Sequence, residues 1–460
     1  MKKITAAFVI MSSFLFSVLY ADHASLVPYR DGDKCGYADR DLKTIVKPQF
    51  DACGDMIDGM ASVYVKGKYG FIDKSGKTVI HPVYTFSTSF NKGYAVMAKD
   101  ARYTVVDSAA NQVVSFTDYT INHYQKGAAV ISKDYKYGLM DDKGKIILPV
   151  IYGDIKPAGN GLFIVADAAA EGTFLSGKHH LYNSGGSPVI KESYDVIYPA
   201  ANGFMMIQNG KKWGYLNPDG AVFSLPIYDN IRNIKPDGTA CFQKNGKWGI
   251  MNGQGKIIVA AQYDNVGGGD GSLAEEMQAK QNYFIVSSGG KWGMLSLRGE
   301  TIAHTEYYMI GSGNSGYIPA FKEIEEKGSG GKTIGLTLLD DKGWELFKPK
   351  KEYNATGEEG EGLLPAGRTG GYGRGKVMGY INHQGEMVIS MVFDEAGRFE
   401  GGYAIVKKNG LYGIINKIGV MVEDAEYDDI TRSLNYPGLF EGSFNRKKIY
   451  FEPGGRHFSK

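Results

Sequence analysis

Charge of one sign is missing from this chain. Its 52 basic and 50 acidic residues leave a formal net charge of +2, and the two signs are mixed along the length. A nucleic-acid partner asks for a basic face, so none is expected. Long apolar runs are missing as well: beyond Leu19 nothing approaches the roughly 18 residues of a membrane-spanning helix, and no membrane span is expected. Catalytic signatures are absent too, with no H-E-x-x-H, C-x-x-C or G-x-S-x-G. Gly311-Ser312-Gly313-Asn314-Ser315-Gly316 matches a nucleotide-loop pattern by letter but leads into no helix, and Gly267 to Gly271 resembles a calcium loop without its repeated spacing. His179 and His180 are adjacent on a strand and so face opposite ways, which makes joint metal ligation awkward. The chain is expected to be no enzyme and to use no cofactor and no metal.

Cysteine is scarce, at 3 residues. Cys35 and Cys53 lie close enough to bridge, which would staple the exposed end of the chain by about 3 kcal/mol. The alternative is two small buried thiols. Cys241 reads as a buried core thiol.

What is present begins with an export signal. Met1 to Ala21 has a Lys2-Lys3 start, an apolar stretch from Ala6 to Leu19 and a Leu19-Tyr20-Ala21 end, the form of a secretory signal peptide. The mature chain, 22–460, is then expected in the periplasm or outside the cell. Its 63 Gly and 31 Tyr, with little helical periodicity, point to one all-β array.

The array is written in a repeat. Asn245-Gly246-Lys247-Trp248-Gly249-Ile250-Met251-Asn252 has near-copies at Lys212-Trp213-Gly214 and Lys291-Trp292-Gly293. Paler ones lie at Lys68-Tyr69-Gly70, Lys136-Tyr137-Gly138 and Leu411-Tyr412-Gly413. Tyr69, Tyr137, Trp213, Trp248, Trp292 and Tyr412 thus anchor a period of about 34 residues with occasional insertions. Columns that did not set the register agree with it. Four residues after the anchor come Asp73, Asp107, Asp141, Asn252 and Asn416; seven after come Gly76, Gly144, Gly255 and Gly419; fifteen after come Tyr84, Tyr152, Tyr228 and Tyr263. The Asp or Asn suits an Asx-turn, and the glycine its left-handed residue. Asn-Gly before the anchor suits a type I′ hairpin. Lys145-Ile146-Ile147-Leu148-Pro149 reads as a third strand stopped by Pro, so one unit is a three-stranded meander plus a loop. Such a unit buries too little alone and must stack on its neighbours.

Lys212-Trp213-Gly214-Tyr215-Leu216-Asn217-Pro218-Asp219-Gly220, followed by Pro226-Ile227-Tyr228-Asp229, resembles the WG-repeat family. The resemblance covers the chain from about Val27 onward. Thr104, His180, Thr337 and Ile449 replace the glycine of the motif, and His179, Leu336, Met378 and Lys448 replace the aromatic. The resemblance implies a bacterial β-repeat protein and brings no catalytic residues. About twelve such units are expected to form an open solenoid or superhelix, which tolerates weak copies; the alternative is a β-propeller-like ring or rings.

Three irregular stretches interrupt the period: Asp167 to Lys178, Gly267 to Gln281 and Glu323 to Gly375. The second holds a short helix beginning at Ser272-Leu273-Ala274-Glu275, and the third is a candidate boundary between two sub-arrays. Insertions of this kind often gather on one working face. The function expected is binding or scaffolding of a protein partner at the cell envelope or outside the cell. The alternative is an envelope glycan or peptidoglycan held by exposed Trp and Tyr, against the plainer role of those rings as packing between units.

Overall fold

The computed structural model describes residues 26–39, 43–125, 127–169, 177–232, 234–235, 238–266, 282–311, 313, 316–325, 331–369, 376–444 and 447–457. The expected signal peptide, Met1 to Ala21, and the short helix expected from Ser272 lie outside the described residues. Those described form twelve small antiparallel sheets taken strictly in chain order. There is no α-helix among them, only a single 3-10 turn at Ala201–Gly203.

The seventh sheet shows how one unit is made. Its strands are Asn230–Ile231, Ala240–Lys244, Lys247–Met251 and Ile257–Tyr263. Asn245 (φ 53°) and Gly246 (φ 75°) turn the second strand into the anchor strand, the left-handed pair of a type I′ hairpin. Asn252 then accepts from the amides of Gln254 (3.1 Å) and Lys256 (3.0 Å), the expected Asx-turn. Asp141 and Asn382 do the same in their own units. Where the column holds Ser296, its hydroxyl takes over, accepting from Arg298 and Glu300 at 3.2 Å.

Cross-strand register explains why two aromatic columns recur. Trp213 faces Tyr228, Trp248 faces Tyr263, Trp292 faces Tyr307, and Tyr412 faces Tyr427. Two residues on, Ile250 faces Val259, so the closing strand carries extra residues in a bulge. The glycine after the anchor sits against that bulge. A Cβ on Gly214 would stand 2.4 Å from the Ser224 carbonyl oxygen, and one on Gly379 2.3 Å from that of Ile389. Thr104 and Thr337, which replace this glycine, turn the close approach into a bond: each buried hydroxyl donates to the same carbonyl, of Val114 and Phe347, at 2.6 Å.

Two expectations are corrected here. Proline does not stop the third strand: Pro149 lies inside Ile146–Tyr152 and Pro82 inside Thr78–Tyr84. A Cβ on Gly70 would stand 2.7 Å from the Pro82 nitrogen, which places that proline in the bulge, where the ladder tolerates a missing N–H. The unit is also not three-stranded. Past Tyr84 a single joint residue leads into Phe86–Ser87, which opens the third sheet. One extended run closes one sheet and opens the next, so nine of the twelve sheets have four strands.

Adjacent sheets pack face to face. Each buried cluster draws on two neighbours: Phe71 and Ile80 of the second sheet with Phe90 and Met97 of the third, Tyr215 and Tyr228 of the sixth with Ile234 and Phe242 of the seventh. Within 323–375 the described residues belong to the ninth and tenth sheets, which share Phe321, Leu336, Tyr353 and Leu364. One cluster joins the ends of the chain: Val27, Tyr37 and Phe50 of the first sheet and Met56 and Val63 of the second pack with Tyr436, Leu439 and Tyr450 at the twelfth.

The array therefore closes into a ring of twelve sheets. The propeller-like alternative is the one formed, and the open solenoid is not. Closure uses no shared strand. Instead Tyr450 and Asn435 donate to the Asp55 carboxylate at 2.8 and 3.1 Å, and the Met56 amide donates to the Tyr436 hydroxyl at 3.1 Å. Cys53, just ahead on the same strand Ala52–Ile57, is disulfide-bonded to Cys35 of the first sheet, so the latch strand is covalently tied. Replacing Asp55 with Ala strands two donors at this closure. Urea unfolding should show about 1–3 kcal/mol lost, and a variant as stable as the parent would refute the latch.

Candidate functional site

The repeat anchors are placed by packing. Trp248 is buried and Tyr69, Tyr137, Trp213, Trp292 and Tyr412 are half-buried, each one against its cross-strand aromatic partner. Arg232, on the run that opens the seventh sheet, lies over the Trp248 ring at 4.7 Å.

One column that the sequence displayed and motif reasoning left without a role is the Asp that follows the closing aromatic. Asp229 pairs with Lys212 of its own sheet and accepts from the Asn245 amide (2.6 Å) in the hairpin turn of the next. Asp264 repeats this with Lys247 and Gly289, Asp51 with Lys34 and Lys66, and Asp195 with Lys178 and Gly210. At these four joints the Asp thus staples one sheet to the next. The lysine hydrogen bond, followed by the backbone amide, holds the carboxyls of Asp51, Asp195, Asp229 and Asp264 below their ordinary range. The recurring Lys before the anchor and Asp after the aromatic were the signal that could have found it.

The opposite face of the closing strands meets solvent. Along Val222–Tyr228, Leu225 is 61 % and Ile227 51 % exposed, with Val222 beside them. The register position of Ile227 holds exposed Val83, Ile151 and Val392 in other units. Each of these strands is the last of its sheet, with one edge unpaired there. The long connections add a second feature. Residues 170–176, 326–330 and 370–375 all join a second strand to an anchor strand, where Asn245-Gly246 serves in the seventh sheet. Residues 267–281 join an opening strand to a second strand. Long connections thus occur at both kinds of hairpin in the meander, where a loop can lengthen without disturbing the packed strands. Among the described residues, no three His, Cys, Asp or Glu side chains are grouped to hold a metal, and no helix is long and apolar enough to cross a membrane.

Comparison with known proteins adds a family. The repeat described as WG containing repeat matches residues 36–69, 69–103, 137–166, 213–248, 248–268 and 378–412. The chain carries the WG repeat at six places. No curated protein matches it. Among solved structures, this WG-repeat protein is similar to a eukaryotic initiation factor at 12% identity, over 70% of this chain and 94% of that one, with a TM-score of 0.32. It is similar to Hsv2 of Kluyveromyces lactis at 10% identity, over 62% of this chain and 96% of that one, with a TM-score of 0.27. The extracellular domain of a hybrid two-component system of B. thetaiotaomicron also matches at 10% identity, over 94% of this chain and 69% of that one, with a TM-score of 0.22. Likenesses this weak say nothing of a ligand or a partner.

The staple makes a pH prediction. A carboxyl whose folded pKa lies below its ordinary value near 3.8 contributes stability above that value and loses it as pH falls through the folded pKa. Asp229→Asn should therefore melt below the wild type at neutral pH. The gap should narrow as the pH drops under about 3.8, read by thermal unfolding at a series of pH values.

Proposed function

We propose that this ring is an exported, non-catalytic scaffold that holds a protein partner in the periplasm or outside the cell. The observation that carries this is the exposed edge strand Val222–Tyr228, with Val222, Leu225 and Ile227 open to solvent on a sheet edge. An unpaired edge with alternating apolar side chains is what an extended peptide segment adds to: the backbone supplies hydrogen bonds and the side chains supply selectivity. The same column at Val83, Ile151 and Val392 offers further contact points around the ring.

Export is supported by the signal-like start of the sequence and by the Cys35–Cys53 bridge, which suits an oxidising compartment. A non-catalytic role is supported by how the acidic columns are spent. Asp73, Asp107 and Asp141 serve turn amides, and Asp51, Asp195, Asp229 and Asp264 serve the staples.

Cross-linking tagged protein in its own envelope, followed by affinity capture, should recover one protein in stoichiometric yield. The double change Leu225→Asp with Ile227→Asp should abolish that recovery while leaving the circular dichroism spectrum intact. Capture of no protein, or equal capture by the double variant, would sink the scaffold reading.

A further inference from the structure

A cleft of about 430 Å³ opens where the second, third and fourth sheets meet at the rim of their first hairpins. Its polar lining comes from Asp58, Ser89, Asn91 and His123, with Tyr94 and Tyr124 as aromatic walls. Under it Phe90 is buried against Phe71 in an edge-on contact at 4.8 Å, so the floor is a packed core. The volume lies in the range of about 300–1,000 Å³ typical of small-ligand pockets.

The repeat supplies an internal control for this cleft. One constant offset carries the third sheet onto the eleventh and the opening of the fourth onto the twelfth. Phe90 falls on Phe399, both buried, and Tyr94 falls on Tyr403. The backbone is the same in both places: Asn91 bridges Tyr94 as Glu400 bridges Tyr403. The Gly93 amide donates to Asp58 at 3.1 Å, as the Gly402 amide donates to Glu361.

The side chains are not the same. On the eleventh sheet the space is filled by ions: Arg398 pairs with Glu400 at 2.9 Å and with Glu358 at 3.3 Å, and Arg432 pairs with Glu400 at 3.5 Å. At the corresponding positions of the cleft stand Ser89 for Arg398, Asn91 for Glu400 and His123 for Arg432. Shorter neutral groups have replaced a salt-bridge network, and the volume they vacate is open. Among the described residues the exposed Ser89 hydroxyl, the exposed Asn91 side-chain amide and the half-buried His123 imidazole have no hydrogen-bond partner. Burial, aided by nearby Lys92, lowers the His123 pKa, so its ring is neutral at pH 7 and presents one donor and one acceptor.

We propose that this cleft is a binding site for a short, uncharged saccharide. Sugar hydroxyls both donate and accept, which suits a hydroxyl, an amide and a neutral imidazole grouped in one cleft. The C–H faces of a pyranose ring suit the flanks of Tyr94 and Tyr124. After the exchange of charged for neutral groups, Asp58 is the one acidic residue of the lining, and the Gly93 amide donates to it. This site is separate from the closing-strand edge, so either reading can fail without the other.

The test is isothermal titration of the full mature chain with maltose, cellobiose, lactose and diacetylchitobiose. At least one should bind saturably at one site per chain. The combination Ser89→Arg, Asn91→Glu and His123→Arg restores the eleventh-sheet side chains and should weaken that binding by about tenfold or more, about 1.4 kcal/mol. His123→Ala alone should weaken it in the same direction, which covers a combination that fails to fold. The Leu225→Asp and Ile227→Asp variant should bind the sugar as the wild type does. Silence from every probe, or a filled cleft that binds as well as the open one, overturns the proposal.

Discussion

Everything in this ring depends on one joint. At most boundaries, as at Tyr84-Thr85-Phe86 and Tyr228-Asp229-Asn230, the closing strand passes through a single residue and becomes the opening strand of the next sheet, so these sheets lean on partners outside their own repeat. At Asp51, Asp195, Asp229 and Asp264 the joint residue is itself the staple, tied back to a lysine of its own sheet and forward to a turn amide of the next. Local geometry and inter-sheet packing are thus fixed at the same position. A repeat that could fold by itself would need neither.

The bulge beside the anchor follows from the same constraint. To continue into the next sheet, the closing strand must bend, and extra residues between the Trp248–Tyr263 and Ile250–Val259 pairs provide the bend. The bend drives a backbone carbonyl into the space above the residue after the anchor, which in the units that carry this bulge is glycine, or at Thr104 and Thr337 a threonine with its hydroxyl turned to that carbonyl. Gly76, at the turn that follows, carries a second constraint. Its φ is 81°, and a Cβ there would stand 2.5 Å from Val46 of the preceding sheet, so turn chemistry and stacking select the same residue.

A ring of near-identical sheets makes its departures informative. Where the eleventh and twelfth sheets keep Arg398, Glu400 and Arg432 in an ion network, the third and fourth leave a cleft on the same backbone. Val222–Tyr228 exposes Val222, Leu225 and Ile227, where the closing strand Met421–Tyr427 exposes Asp424 and Glu426. Function in such a fold is written in side-chain exchange at fixed register, because the backbone is already committed to packing.

The sequence by itself determined the repeat, its all-β character, the hairpin turns and the Asx-turns. These are local: Asn245-Gly246 and Asn252 act through the backbone of the next few residues, so their chemistry is legible without any neighbour. It also displayed the staple's lysine and aspartate columns, but as unassigned letters, since their partners lie across a joint that periodicity does not show. Only the tertiary structure decided the fourth strand, the passage of Pro149 and Pro82 through their strands, and the choice of ring over solenoid. Closure rests on Tyr436, Asn435 and Tyr450 meeting Asp55 and Met56 from the far end of the chain. Whether two ends meet depends on the accumulated rotation between twelve packed sheets, a small angle per step that no single repeat records.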